Sequence, residues 1–552
     1  MNYKPQIRIA IFLILFLSVS PILTAQQHPT RSAPSSRYWI IVQRLNRNHY
    51  ETETQISNLE HIWPERSSAR RRKNGCGYSV NDLPLEPSLI TEITQTGAKL
   101  VCQSRWLSAI SVEANSAQLI AIKKLPFVMS VTAVQSLRRD EASRDEQFTA
   151  IANASLPVNE ATPLGAYGFS YRQAELARAN EVHRKGGMGK GVLIGVLDTG
   201  FQLDHCAFAG LDLIAQYDFI NHDSDPSYDP RTDASGQAGH GTACLSVIGG
   251  YDPARLVGIA PRASFALGKT EDVRSETAIE EDYWIEALEW LEELGADVVS
   301  SSLSYRDWYN IEEYDGRSPI SRAAERAAEL GMVICISAGN AGPGAITIGA
   351  PADAAGILAV AAVDSSGRLT NFSSRGPSSD GRVKPDIAAM GRQVVCVKPL
   401  STNEYTRWNG TSLACPIVAG VAALVIEAHP EWPGSKVVQA LRMTASQSYM
   451  PDDGCGYGMV DAVEAVNFPS ITILLSKTKV NSNQYFASVG MGSDGREYFR
   501  RAKFENGYAK FVNLEYGNYS IGIGSDGESD LQRYSITVPP SGSLFLKDLN
   551  FP

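Results

Sequence analysis

The chain has 552 residues, 43% of them hydrophobic and 20% charged, with 46 Gly and 28 Pro. That length suits roughly three or four domains of about 150 residues, and the composition excludes a collagen-like, coiled-coil or largely disordered chain. The net charge of −10 argues against a general nucleic-acid binder, and eight Cys are too few for a small disulfide scaffold.

Lys4 and Arg8 precede the apolar run Ile9–Leu17, and Ala25 before Gln26 reads as the expected cleavage point. The run is too short to span a bilayer, so residues 1–25 read as a secretory signal peptide, which implies secretion or a periplasmic location. An uncleaved anchor is the alternative. No later stretch approaches 18 apolar residues, so no membrane span is expected in the mature chain.

Residues 26–140 alternate strand and helix signals. Arg37–Leu45, Leu107–Glu113 and Val128–Val134 read as strands. Ser88–Thr96 and Ala117–Leu125 have helical spacing, with Asn115 as an N-cap for the second. A small α+β domain is expected. The run Arg70–Lys73 (RRRK) is expected to be a solvated loop, with a processing site as the alternative.

Residues 141–164 lack periodicity and read as a linker. From 165 to 468 the pattern changes. The apolar runs Gly191–Leu197, Phe265–Leu267, Val298–Ser302, Val333–Ser337 and Leu358–Val363 alternate with helical segments. Continuous apolar strands separated by helices predict an α/β fold, a parallel sheet covered on both faces. Residues 469–552 carry short strand signals and two GSDG turns, at 492–495 and 524–527, which predict a small β-sandwich.

Four motifs sit at the predicted strand and helix ends of the α/β block. Asp198-Thr199-Gly200 ends a strand, and His240-Gly241-Thr242 opens a helix. Ser337-Ala338-Gly339-Asn340 ends another strand, and Gly410-Thr411-Ser412 precedes the small, apolar stretch IVAGVAALVI. Strand C-ends and helix N-ends of an open α/β sheet converge on one crevice. A serine hydroxyl is a weak nucleophile and needs an imidazole base, which in turn needs a carboxylate to orient it. A serine at a helix N-terminus also lies beside unpaired N–H groups where an oxyanion forms, and Asn340 adds a side-chain N–H. DTG is also an aspartic-protease motif, but those enzymes need two such aspartates, and here it occurs once.

In the order Asp198, His240, Ser412, these motifs make residues 165–466 resemble the subtilisin-like serine proteases, the subtilases. The flanking segments VGIAPRASF (257–265), NFSSRGPSSDGRVKPDIAA (371–389) and GYGMVDAVEAV (456–466) extend the resemblance. It implies a three-layer parallel-sheet domain and a serine endopeptidase with Asp198, His240 and Ser412 as the triad and Asn340 in the oxyanion hole. It implies that Ser302, Leu303 and Ser304 flank an extended peptide, with Ala338 and Gly339 in the pocket wall. Leu413 and Cys415 depart from the family's usual Met and Ala without touching the chemistry. RYWIIV, WLSAISVEA and LPFVMSVTAV resemble subtilase prodomains, so the expected product is a zymogen whose prodomain is an intramolecular inhibitor. Its partners would be protein or peptide substrates. A binding protein on an inactive subtilase scaffold is the competing class.

Three features stay open in the sequence. Residues 271–293 hold ten acidic side chains against Arg274; Trp284, Ala287, Leu288 and Leu291 share one helix face, so a solvated amphipathic helix is expected rather than an acidic substrate rim. Asp218, Asp223, Asp225, Asp229 and Asp233 precede His240; a solvated loop is expected, with structural calcium as the alternative and no other cofactor required. Cys244, Cys335 and Cys415 are expected as buried thiols, although export permits disulfides.

Overall fold

The computed structural model describes residues 37–44, 49–134, 149–150, 167–273, 279–306, 310–448 and 450–468. In the C-terminal part it describes the strands between 470 and 547 as backbone. Residues 1–25 lie outside the described residues.

Seven parallel strands form the central sheet. Their order is Ile387–Met390, Leu358–Val363, Val333–Ser337, Val298–Ser301, Leu193–Asp198, Ser264–Lys269 and Asp212–Asp218. The two edge strands, 387–390 and 212–218, carry no long apolar run and were not anticipated. Side chains alternate between faces. Ile194, Val196, Val298, Val333 and Cys335 join one core, while Leu193, Leu197, Val299, Ile334 and Ile336 join the other. Helices Gly239–Gly249 and Thr411–Ala428 cover the first face; Ile279–Leu294 and Pro319–Glu329 cover the second. Gly195 permits the close fit there, because a Cβ on it would stand 2.3 Å from Leu291 Cδ1.

Thr411–Ala428 has a mean hydropathy of 1.9 over 18 residues, so one late stretch is long and apolar enough to cross a membrane, against the expectation of none. Its apolar length has another use: 83% of that window is buried, as the central helix of the first core.

The N-terminal region is a four-stranded antiparallel sheet ordered Lys99–Ser104, Ala109–Glu113, Arg37–Val42, Val128–Ala133. Helices Pro87–Gln95 and Ser116–Ile122 pack on one face through Leu89, Ile93 and Ile122, against Ile40, Val42, Ile110 and Val112. Asn115 caps the second helix by accepting from Ala117 N and Gln118 N, both at 3.0 Å. The opposite face carries Trp39, Cys102 and Ala109 into the second core of the α/β block.

Arg70–Lys73 is not a solvated loop. It ends the helix Glu65–Lys73, and Arg70 and Arg71 are 2% and 1% exposed. Arg70 donates to Glu292 at 2.6 Å and to Ala296 O at 2.6 Å; Arg71 donates to Glu292 at 2.9 Å and Asp82 at 2.7 Å. The expectation for 279–294 changes with it. Trp284, Ala287, Leu288 and Leu291 are buried as the spacing predicts, but Asp282, Glu289 and Glu292 are buried too, against the N-terminal region. Arg37 reaches Asp282 at 3.5 Å, Ser111 Oγ donates to Asp282 at 2.5 Å, and Ser104 Oγ donates to Glu289 at 2.6 Å. Arg105 pairs with Glu293. Charge runs usually lie in water; here Arg70 and Arg71 of one run share Glu292 of the other, while Arg37 and Arg105 take Asp282, Glu289 and Glu293.

Inside the expected linker, Thr149 and Ala150 pair with Arg407 and Thr406 of the strand Tyr405–Trp408, beyond which lies Ser412. The C-terminal part forms a three-stranded and a four-stranded sheet. Strands Tyr485–Met491 and Tyr498–Lys503 pair antiparallel across the first GSDG, which itself lies outside the described residues. Strands Gly517–Ser525 and Gln532–Val538 pair antiparallel across the second, half of which lies outside them.

Candidate active site

Chain direction builds the crevice. From Leu193–Asp198 the chain moves to the strands on one side of the sheet, then crosses to Val298–Ser301 on the other. The crevice outside the strand carboxyl ends therefore opens between these two strands, where an open α/β sheet binds ligands. Asp198 ends one of them and Ser302 follows the other. His240 is the second residue of helix Gly239–Gly249, and Ser412 the second of Thr411–Ala428.

Asp198 is fully buried, and its Oδ1 lies 2.6 Å from His240 Nδ1. The same oxygen accepts from Thr199 N at 2.8 Å, which fixes the carboxylate. A carboxylate on Nδ1 selects the tautomer in which Nε2 is the basic nitrogen. Burial opposes the imidazolium, but the Asp198 charge outweighs it and holds the His240 pKa well above 6.5. Cys244, one turn further on, has its own thiol pKa pushed up by burial and stays protonated beside the pair.

Among the described residues, Ser412 Oγ donates to Ser302 O at 3.4 Å and not to His240. Catalytic hydrogen bonds are often long without substrate and tighten around it. The backbone at Ser412 is held more firmly. Pro416 has no N–H, so the carbonyl four residues earlier has no helical donor. That carbonyl is Ser412 O, and it accepts instead from Ser302 Oγ at 2.8 Å and Cys244 Sγ at 3.4 Å. Proline inside the helix thus ties the serine to both neighbouring elements.

Asn340 lies at the end of strand Val333–Ser337. Its Oδ1 accepts from Thr411 N at 2.9 Å and Thr411 Oγ1 at 3.1 Å, which commits the oxygen and leaves the Nδ2 donors for the crevice. Thr411 Oγ1 also accepts from Gly339 N at 3.1 Å. Sequence reasoning passed over Thr411, although it sits inside the Gly-Thr-Ser motif. Its role needs two chain segments to meet.

The expected groove residues assemble around the same point. Ser302 and Leu303 are buried, Ser304 is half-buried, and Ala338 and Gly339 stand on the neighbouring strand end. The expected acidic loop is solvated only in part. Asp218 and Asp233 turn inward onto the buried Lys269 Nζ, both at 2.8 Å, and Asp229 pairs with Arg231 at 2.7 Å. A resident ammonium therefore takes the two inward carboxylates, Asp218 and Asp233, while Asp223 and Asp225 accept from the backbone N–H groups of Asp225 and Ser227. All eight cysteines are free thiols, with Cys244, Cys335 and Cys415 fully buried.

Comparison with known proteins gives the class, a serine endopeptidase. Residues 189–458 match the Subtilase family, and residues 37–150 match the Peptidase S8 propeptide domain of Bacteroidota. Serine protease AprX of Bacillus subtilis is 30% identical over 325 residues, covering 53% of this chain and 70% of that one. Subtilisin E of Bacillus subtilis is 30% identical over 357 residues, covering 64% and 80%. Fervidolysin from Fervidobacterium pennivorans, a keratinolytic enzyme related to subtilisin, has a similar fold, with TM-score 0.53 and 21% identity over 84% of this chain and 77% of that one. The chain belongs to the subtilase family and carries the family's propeptide.

Proposed function

We propose that the protein is exported as a zymogen and hydrolyses peptide bonds with Asp198, His240 and Ser412. The observation that carries this reading is the 2.6 Å contact between His240 Nδ1 and a buried Asp198, beside a serine in the first turn of a helix. Ser412 Oγ attacks the scissile carbonyl while His240 Nε2 takes its proton. Asp198 stabilises the imidazolium, which then protonates the leaving amine. Water repeats the sequence on the acyl-enzyme. The negative oxygen of each tetrahedral intermediate accepts from Ser412 N and Asn340 Nδ2. Ser302, Leu303 and Ser304 pair with the substrate as an added strand, facing Ala338 and Gly339.

Residues 1–25 are the export signal in this reading, on the strength of their charge and apolar run. Residues 26–140 are the inhibitory prodomain, 141–164 the linker, 165–468 the catalytic domain and 469–552 a C-terminal β-domain. The test is a fluorophosphonate probe on processed protein. Stoichiometric labelling at Ser412 is expected; unlabelled, folded protein would overturn the assignment.

A further inference from the structure

The crevice beside Ser412 carries information about which peptide bonds it accepts, given the reading that Ser412 is the nucleophile. The residue donating the scissile carbonyl must place that carbon at Ser412 Oγ, 3.4 Å from Ser302 O. Asn340, locked to Thr411, fixes the direction of the carbonyl oxygen. In the proposed pose, with 302–304 pairing to the peptide, the side chain of that residue, P1, lies in the gap between 302–304 and 338–340, the segments that follow two paired parallel strands.

The depth of that gap is set by Ser304. Tyr305 N donates to Ala350 O at 2.8 Å and Ala350 N to Tyr305 O at 2.9 Å, which draws Gly349 beneath the 302–304 segment. Ser304 Oγ lies 2.9 Å from where a Cβ on Gly339 would stand and 2.8 Å from where one on Gly349 would stand. One wall and the floor are therefore glycines with a hydroxyl pressed between them. Neither can retreat easily. Gly339 has φ +99° and its carbonyl accepts from Ser374 N at 2.9 Å, and a Cβ on Gly349 would also stand 2.7 Å from Tyr305 O. The gap's lining residues, Leu303, Ser304, Ala338, Gly339 and Gly349, carry no charge. A long P1 side chain would meet the Ser304 hydroxyl, and a charged one would be buried without a partner.

We propose that Ser304 closes the P1 pocket partway down, so that the protein cleaves after small, uncharged residues such as Ala, Gly and Ser and rejects aromatic and long ones. The experiment uses processed protein titrated with a fluorophosphonate, then assayed with peptide p-nitroanilides that differ only in P1: Gly, Ala, Leu or Phe. kcat/KM for Ala is expected to exceed that for Phe by on the order of 10- to 100-fold, the range that pocket shape commands. Ser304→Gly is expected to raise the Phe-to-Ala ratio at least about tenfold. Ser304→Val fills the gap further and should lower the Ala-to-Gly ratio, which keeps the proposal open to refutation should the glycine variant not fold. Titratable enzyme that prefers Phe, or variants that leave both ratios unmoved, would overturn the pocket proposal and spare the nucleophile. Protein that does not label at Ser412 would bring down both.

Discussion

The crevice and the N-terminal dock lie on the same catalytic block and use buried charge in opposite ways. The crevice holds one pair, Asp198 and His240, with one oxygen of the carboxylate shared between an imidazole and a backbone N–H. The dock holds Arg37, Arg70, Arg71 and Arg105 against Asp282, Glu289, Glu292 and Glu293, with several of these side chains almost inaccessible. Catalytic charge must stay in place while substrates come and go, so it is set on strand and helix ends and braced by backbone. Docking charge needs only to match a partner. Its carboxylates line one helix and its guanidiniums come from separate elements of the N-terminal region. Perturbing the first region should abolish turnover and leave docking alone; perturbing the second should do the reverse.

The largest effect belongs to the crevice. Ser412→Ala should lower peptide hydrolysis by on the order of 10⁶, the loss that removing the nucleophile costs subtilisin itself. It should also leave residues 37–150 joined to the remainder, readable as a single band on a denaturing gel. Full maturation of that variant in purified form would assign the cut to another protease. Asn340→Leu should lower kcat by about 10²–10³ in protein that still folds, again the scale known for subtilisin's own oxyanion donor, and should lower the thermal transition because Thr411 N and Oγ1 lose their acceptor. A normal kcat in folded Asn340→Leu would remove that side chain from the oxyanion site.

The same contrast explains what was legible in the sequence. Each motif of the proposed triad is local: Asp198-Thr199-Gly200, His240-Gly241-Thr242 and Gly410-Thr411-Ser412 each place one group at one element end. The five anticipated core strands are continuous apolar runs, so hydrophobicity located them; Asp212–Asp218, with a charged residue at each end and a Gln in between, gave no such signal. The dock depends on pairs such as Arg70 with Glu292, 222 positions apart. Locally, each half looks like a hydrated charge run, and only the folded chain brings them together. Thr411 and Pro416 failed to stand out for the same reason, since their hydrogen-bonding consequences fall on Asn340, Ser302 and Cys244.

The dock should break most sharply at Glu292, which takes two buried guanidiniums and Ser67 Oγ. Glu292→Ala leaves Arg70 and Arg71 buried with part of their charge uncompensated, a change that costs about 3–5 kcal/mol in buried pairs. Added as a separate chain to the processed variant, residues 26–140 should inhibit at least about 100-fold more weakly than with the parent. Hydrolysis of a small peptide by the same variant should be near normal. Inhibition as strong as with the parent would mean that the apolar contacts of Trp39, Cys102 and Ala109 hold the dock without the charges.

The finest distinction is in pH, and its sign runs against a simple ion-pair picture. Burial pushes the Asp282 carboxyl up to about 7, and the Ser111 hydrogen bond and the Arg37 charge only partly oppose it. Burial likewise pushes Glu286 up to about 7, with the Glu289 and Asp282 charges adding to the rise. Glu289 is also raised by burial, against Arg105. Once the N-terminal region leaves, Asp282 and Glu289 lose the Ser111 and Ser104 side chains that cover them, and the carboxyl pKa values fall toward their ordinary range. The docked state therefore binds protons that the separated state does not. Docking draws full benefit from these groups below about pH 4 and loses it as pH rises through 7. Asp82 and Glu113 are shifted downward, so they titrate in acid and do not contribute between pH 6 and 8. Inhibition by residues 26–140 should accordingly weaken by about tenfold between pH 6 and 8 for each carboxyl that titrates at 7. Asp282→Asn should flatten one such step. The catalytic pair sharpens the contrast, because His240 must be neutral to accept a proton and its pKa lies above 6.5, so turnover also rises with pH. Asp198→Asn should move that kinetic limb toward lower pH and leave the inhibition curve in place. Inhibition that strengthens from pH 6 to 8 would show that the arginines, rather than desolvation of the carboxyls, govern the dock.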